Sequence, residues 1–126
     1  MTWRLHPEQH ELEEEERELV ASAIKHFSGE RYKLYAYVVM NDHVHVILEP
    51  LAEDSLQKVI HSWKSFTTNR LWKLGRVGAV WQREYYDRIV RDEDEFWEKV
   101  NYVMSNAPKR WFGTTNYKWA EWFPPG

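Results

Sequence analysis

The 126-residue chain has no cysteine, which excludes a disulfide framework, a zinc ribbon and thiol chemistry together. No apolar run approaches the roughly 18 residues that a membrane span needs, and Met1-Thr2-Trp3-Arg4-Leu5-His6 has no signal-peptide core. The expectation is a soluble, cytoplasmic protein with no membrane partner. Glycine and proline number only 5 each, and no repeat or low-complexity linker divides the chain, so one domain over residues 1–126 is expected. An excess of base is lacking too: the net charge is −3, which on average speaks against a nucleic-acid partner.

What is abundant is aromatic. Eight Trp, seven Tyr and five Phe lie within a 43% apolar composition, enough large rings to build a core without a covalent staple. Charge is unevenly spread. Residues 1–55 carry 5 basic and 12 acidic side chains, residues 56–126 carry 12 and 8, and from Lys58 through Arg83 there is no carboxylate at all. The average conceals a basic segment.

Thr2 to Leu5 is compatible with a short strand. Leu12, Leu19, Ala23, Ile24 and Phe27 follow helical spacing, which predicts a helix from about Glu11 to Ser28 stopped by Gly29. Its early glutamates read as a solvated face matched to the helix dipole. Arg31–Met40 and His43–Leu48 are rich in β-branched and aromatic residues and predict a hairpin turning at Asn41-Asp42, two residues that tolerate the positive φ of a tight turn. Asp54 or Ser55 is expected to cap a second helix reaching about Leu74, which Gly75 and Gly78 terminate. Tyr85–Val90 predicts another strand with Tyr86 facing the core. Asp92 to Asp94 start a third helix, Glu95 to Asn106, ended by Ala107 because the residue before Pro108 is pushed out of helical geometry. This β-α-β-β-α-β-α order predicts an α+β fold, a ferredoxin-like split β-α-β antiparallel sheet with helices on one face.

His43 and His45 are two apart on a predicted strand, so both imidazoles project from one face of the sheet. That suits two ligands on one metal ion, although the spacing alone is common among packing and surface histidines. Tyr102 and Asn106 are four apart near the end of the third helix and share its face. If that face packs beside the histidines, Asn106 can offer an amide oxygen as a third ligand while Tyr102 points its hydroxyl at whatever the metal holds. A phenol is a poor nucleophile near neutral pH unless a cation stabilises its oxyanion. On periodicity alone, Tyr102 reads more simply as a helix residue with a packed ring and a wet hydroxyl.

Met40-Asn41-Asp42-His43-Val44-His45 resembles the His-hydrophobic-His (HUH) signature of single-tyrosine, single-strand DNA transposases. Trp81-Gln82-Arg83-Glu84-Tyr85-Tyr86-Asp87 with Arg91-Asp92-Glu93, followed by Tyr102-Val103-Met104-Ser105-Asn106, is similar to the subgroup called REP-associated tyrosine transposases. The resemblance runs in order from the first helix through Pro108. It implies that His43 and His45 bind a divalent cation, Mg²⁺ or Mn²⁺, with Asn106 as third ligand and Tyr102 as nucleophile. The implied reaction cleaves and rejoins single-stranded DNA through a 5′-phosphotyrosine link. Two positions depart from the family pattern: Asn41 stands where proline is usual, and Ala107 is inserted between Asn106 and Pro108. Tyr85 and Tyr86 are rival nucleophiles, but in a strand at most one of them can approach the site.

The basic segment supplies Lys58, Lys64, Arg70, Lys73, Arg76 and Arg83. Of these Lys64, Arg70, Lys73 and Arg83 are the expected contacts to single-stranded or hairpin DNA, with Trp72, Trp81 or the tail tryptophans as stacking platforms. Lys64 also resembles the family's lysine near the active site. Both monomer and homodimer are compatible with the family. Two other readings stay open: a hairpin-binding module of the same fold with weak catalysis, and a ferredoxin-like metal-binding or regulatory domain without nucleic acid.

Overall fold

The computed structural model describes residues 1–51, 56–111 and 117–124. Its elements run β1 (Thr2–Leu5), α1 (Glu14–His26), β2 (Tyr32–Val39), β3 (His43–Pro50), α2 (Leu56–Lys73), β4 (Trp81–Tyr86), α3 (Glu93–Met104), α4 (Asn106–Arg110) and β5 (Ala120–Trp122). The strands form one antiparallel sheet in the order β4-β1-β3-β2-β5. Among the described residues no helix is long and apolar enough to cross a membrane. The expected caps of α2, Asp54 and Ser55, lie outside the described residues.

The helices do not share one face of the sheet, and here the expectation is corrected. Trp3, Leu5, Tyr37, Val39, Val44 and Val46 pack with Val20, Ala21 and Ile24 of α1 and Val59, Ile60, Trp63 and Leu71 of α2. On the other face Ala36, Val38 and Ile47 pack with Val100 and Val103 of α3 and Ala107 of α4. The physical reason lies in the central strands. β2 and β3 are apolar on both sides, so one helical layer would leave half of their side chains in water.

Large rings fill the first layer. Trp63 stacks on Trp3 with centroids 5.2 Å apart, meets Tyr32 edge-on at 5.1 Å, and donates its indole N–H to the Tyr32 hydroxyl at 3.1 Å. Tyr32 in turn donates to the Ile24 carbonyl, and burial pushes its phenol up to about 12. Arg76, read from the sequence as part of the basic segment, is instead buried in an ion pair with Glu16. It also donates to the His10 and Glu11 carbonyls, both at 2.9 Å. Gly75, at φ 112°, lets the chain reverse after α2 and send Arg76 inward. Glu16 accepts the Glu13 backbone N–H at 2.9 Å, which sets the start of α1 later than Glu11.

Four further expectations need correction. The β2–β3 turn uses no positive φ at Asn41 or Asp42. It is held by tertiary contacts, for the Asn41 and Asp42 carbonyls accept from the Leu12 and Leu5 backbone N–H at 2.7 and 2.9 Å. β4 begins at Trp81, four residues earlier than expected, because Trp81 belongs in the core opposite Leu5; it is therefore no stacking platform. Tyr86, expected inside, is 66% exposed, since the register places it opposite Thr2 at the edge of the sheet. Finally, α3 ends at Met104, and Pro108 lies inside α4. Pro108 is in the first turn of that helix, where its missing N–H costs nothing.

Candidate active site

β3 alternates its side chains, so His43 and His45 leave the sheet on the side opposite Val44 and Val46, toward α3. Their rings meet edge-on with centroids 4.7 Å apart, and the Tyr102 ring packs on His45 at 5.3 Å. Tyr102 is 52% exposed, so its hydroxyl end is open to a ligand while one side of its ring rests on the imidazole. Lys109 brings its amine to 5.7 Å from the same ring.

The break between α3 and α4 places Asn106. Ending a helix leaves carbonyls without partners. The Asn106 amide donates to the Tyr102 carbonyl at 2.7 Å, and the Ser105 hydroxyl donates to that carbonyl at 3.1 Å. The Asn106 side chain also comes close enough to His45 to oppose the lowering of that imidazole's pKa. The inserted Ala107 is absorbed as a buried residue of α4 and does not carry Asn106 away.

His45 is buried, and that burial, reinforced by neighbouring His43, pushes its pKa down to about 3 against the weaker pull of Asn106. It is a neutral imidazole at any physiological pH, the form that ligates metals. Its Nδ1 lies 2.6 Å from Thr2 Oγ1, and His43 Nδ1 lies 2.6 Å from Asp42 Oδ1. Among the described residues no cluster of three His, Cys, Asp or Glu gathers here. The groups at hand that could hold a cation are two imidazoles and one side-chain amide.

The structure thus brings His43, His45, Tyr102 and Asn106 together. It does not bring Lys64, Arg70 and Lys73 to them, because α2 covers the opposite face of the sheet. The Lys64 amine donates to the Gln82 and Arg83 carbonyls at 2.8 and 3.3 Å, and burial lowers its pKa. Arg70 lies over the half-open Phe66 ring at 5.0 Å, Lys73 is exposed, and Arg83 is exposed on the edge strand β4. Trp72 and Trp122 keep exposed rings.

Sequence reasoning missed two cations on the imidazole face and did not settle which of the rival tyrosines Tyr85 and Tyr86 reaches it. Arg4 sits opposite His43 in the β1–β3 register, which alternation with Trp3 could have revealed had the pairing been known. Lys109 lies seven residues beyond Tyr102, two helical turns away if the helix were continuous. Tyr86 joins His45 and Tyr102 in the wall of a cavity of about 810 Å³ beneath the β4–α3 connection.

Residues 3–106 match the sequence pattern of the family described as IS200-like transposases, and the chain belongs to that family. A REP-associated tyrosine transposase, solved bound to a REP hairpin, superposes with a TM-score of 0.79 at 18% identity, covering 94% of this chain and 72% of that one. It shares the α+β fold. An uncharacterized protein of Haemophilus influenzae is 24% identical over 56% of this chain. The chain spans about half the length of that curated relative, 51%.

Proposed function

We propose that the protein is a divalent-cation-dependent single-strand DNA transposase, a nicking and joining enzyme in which Tyr102 is the nucleophile. The observation that carries the reading is the packing of Tyr102 on His45 with Asn106 one turn away and His43 alongside. The donor set fits Mg²⁺ or Mn²⁺, held by His43, His45 and the Asn106 oxygen. Such a cation, when bound, polarises a phosphate and stabilises a phenolate.

The residues of the chain do the rest. Tyr102 Oη loses its proton to water and bonds to phosphorus, while the bond from phosphorus to the 3′ oxygen breaks and that oxygen takes up a proton from water. A 5′-phosphotyrosine and a free 3′-hydroxyl result. A later 3′-hydroxyl attacks the same phosphorus and releases the tyrosine, joining strands without a nucleotide cofactor. His45 holds the Tyr102 ring in place, so the attacking oxygen pays little orientational entropy. Arg4 and Lys109 flank the imidazoles and suit the phosphates on either side of the cleaved bond.

Hairpin DNA is the proposed partner, in keeping with the REP hairpin in the related structure. Lys64, Arg70, Lys73 and Arg83 would track its backbone. Because α2 and the imidazoles lie on opposite faces, a strand reaching both would pass the β4 edge, where Arg83 is exposed.

The test is a labelled single-stranded hairpin oligonucleotide incubated with the protein and Mn²⁺. A covalent adduct that survives denaturation and vanishes in Tyr102→Phe is the expected result. An adduct persisting in Tyr102→Phe and lost in Tyr86→Phe would transfer the role to Tyr86, which lines the same cavity. Salt-sensitive binding with no adduct in any variant would favour a hairpin-binding module.

A further inference from the structure

Beyond α4 the chain is fastened to the closed face of the sheet, and the fastening reaches back to the open one. Trp119 is buried in the core beneath α1, and its carbonyl accepts the Val39 backbone N–H at 2.9 Å. Its indole donates to Glu18 of α1 at 2.8 Å. Arg17, next to Glu18, lays its guanidinium over the same ring, 4.6 Å from the ring centre. That guanidinium is also 5.6 Å from the centre of the Trp111 ring and donates to the Tyr117 hydroxyl at 3.4 Å. Tyr117 stacks on Trp111 with centroids 5.4 Å and planes 24° apart, and its hydroxyl donates to the Val39 carbonyl at 2.7 Å. A flat, delocalised cation suits such a place, since it packs against more than one ring while donating from its rim. Tyr117 packs against both core clusters, so the stack runs from one face of the sheet to the other on the β2 side.

At the far end of the stack stands α4. Trp111 follows its last residue directly, and the Trp111 backbone N–H closes the helix on the Ala107 carbonyl at 2.8 Å. A helix of 5 residues does not hold itself together in water. Ala107 is its one buried residue, and among the described residues no side chain caps its start. Yet α4 carries two groups that face Tyr102. The Asn106 amide donates to the Tyr102 carbonyl at 2.7 Å, and the Lys109 amine lies 5.7 Å from the Tyr102 ring.

We propose that Arg17, Trp111 and Tyr117 form a clasp that fixes α4 from the closed side of the sheet, making Arg17 and Trp111 positioning residues for Lys109 and Asn106. Both act through α4 and not on the reacting atoms. The inference rests on the reading of Tyr102 as the nucleophile. With the clasp open, Lys109 swings away from the tyrosine and the Tyr102 carbonyl loses its amide partner, so the attacking oxygen samples more geometries. A displacement of about 1 Å at such a group costs on the order of 100-fold in rate.

The experiment uses the whole chain carrying Arg17→Met or Trp111→Leu, with Trp111→Phe, which keeps a flat ring, as the conservative variant. Amide hydrogen exchange at positions 109 and 111, whose N–H groups bond to the Ser105 and Ala107 carbonyls, is compared with exchange at Val59 and Ile60 of α2 in the same sample. Adduct formation is timed at saturating Mn²⁺ and hairpin oligonucleotide, so that weaker binding does not enter the rate. Arg17→Met and Trp111→Leu should each speed exchange in α4 about 10-fold relative to α2 and slow adduct formation about 10- to 100-fold. Trp111→Phe should stay near the unsubstituted protein in both. A plain loss of stability raises exchange in α2 and α4 alike, and that result overturns the proposal. So does an adduct rate that is unchanged while α4 loosens, or one that falls while α4 stays protected. No adduct from the unsubstituted protein, with α4 loosened in both variants, sinks the nucleophile reading and supports the hold of the clasp on α4.

Discussion

The two faces of the sheet are built to different ends. Toward α1 and α2 the space is closed by large rings, with Trp3, Trp63, Tyr32 and Tyr37 among the most buried side chains. Toward α3 and α4 the buried residues are fewer and aliphatic, Ala36, Val38, Met40, Ile47, Val100, Val103 and Ala107, with rings such as Phe96 and Trp111 only partly buried against them, and this cover stops short of β1 and β4. That half-cover is what leaves two imidazoles and a phenol reachable. One face is closed by the core, and the other carries the proposed site.

The largest separable effect should come from Tyr102→Phe. It abolishes the adduct altogether, yet because Tyr102 is half exposed its stability cost should stay within about 0.5 kcal/mol, read by urea unfolding. Trp63→Ala should do the reverse. It removes a stacked and hydrogen-bonded indole and should cost about 3–5 kcal/mol, with adduct formation preserved in whatever fraction remains folded. A Tyr102→Phe variant that unfolds easily, or a Trp63→Ala variant that is fully stable, would erase the contrast between the faces.

Next comes the ion pair behind the first face. Burial alone would raise the Glu16 pKa, but hydrogen bonds from Arg76 and from the Glu13 backbone outweigh it and hold the carboxyl below its ordinary value. A depressed folded-state pKa means that the unfolded chain binds the proton more readily. The associated stability is present above the unfolded carboxyl range, near 4.5, and is lost as pH falls through the lower folded value. Glu16→Gln should flatten this acid limb of the stability curve, and Arg76→Met, which strands a buried carboxylate, should cost about 3–5 kcal/mol at neutral pH. The smallest effect concerns the surface beyond α2. Arg70→Ala or Lys73→Ala should each reduce the salt slope of hairpin binding by about one while leaving stability unchanged, measured by fluorescence anisotropy across salt concentrations.

Much of this arrangement was readable in the residues. Richness in β-branched and aromatic residues over Arg31–Met40 and His43–Leu48 identified the central hairpin, and the two-residue period of a strand put His43 and His45 on one face. Gly29 and Gly75 marked helix ends, the approximate course of the first two long helices followed from apolar spacing, and that of the third from Asp92–Asp94 and Pro108. The misplaced pieces share a cause. β4 was sought at Tyr85 because local propensity peaks there, whereas its true span is chosen by Trp81 meeting Leu5. Arg76 looked like one more surface base, because its partner Glu16 is sixty residues away. The break at Ser105 was invisible because Pro108 fits equally well after a helix or inside the first turn of a new one.

The residue pattern by itself determined the period of each element, and with it which side chains share a face, since strand and helix repeats are properties of the local backbone. It could also supply an ordered likeness to a family. Which face is closed and which is left open was decided only in three dimensions. α3 must cross back over β2 and β3 to cover apolar groups that α1 and α2 cannot reach. That crossing sets the Tyr102 ring on His45 and brings Asn106 near the same imidazole, because burial of the sheet's second face, a long-range demand, chooses where the third helix lies.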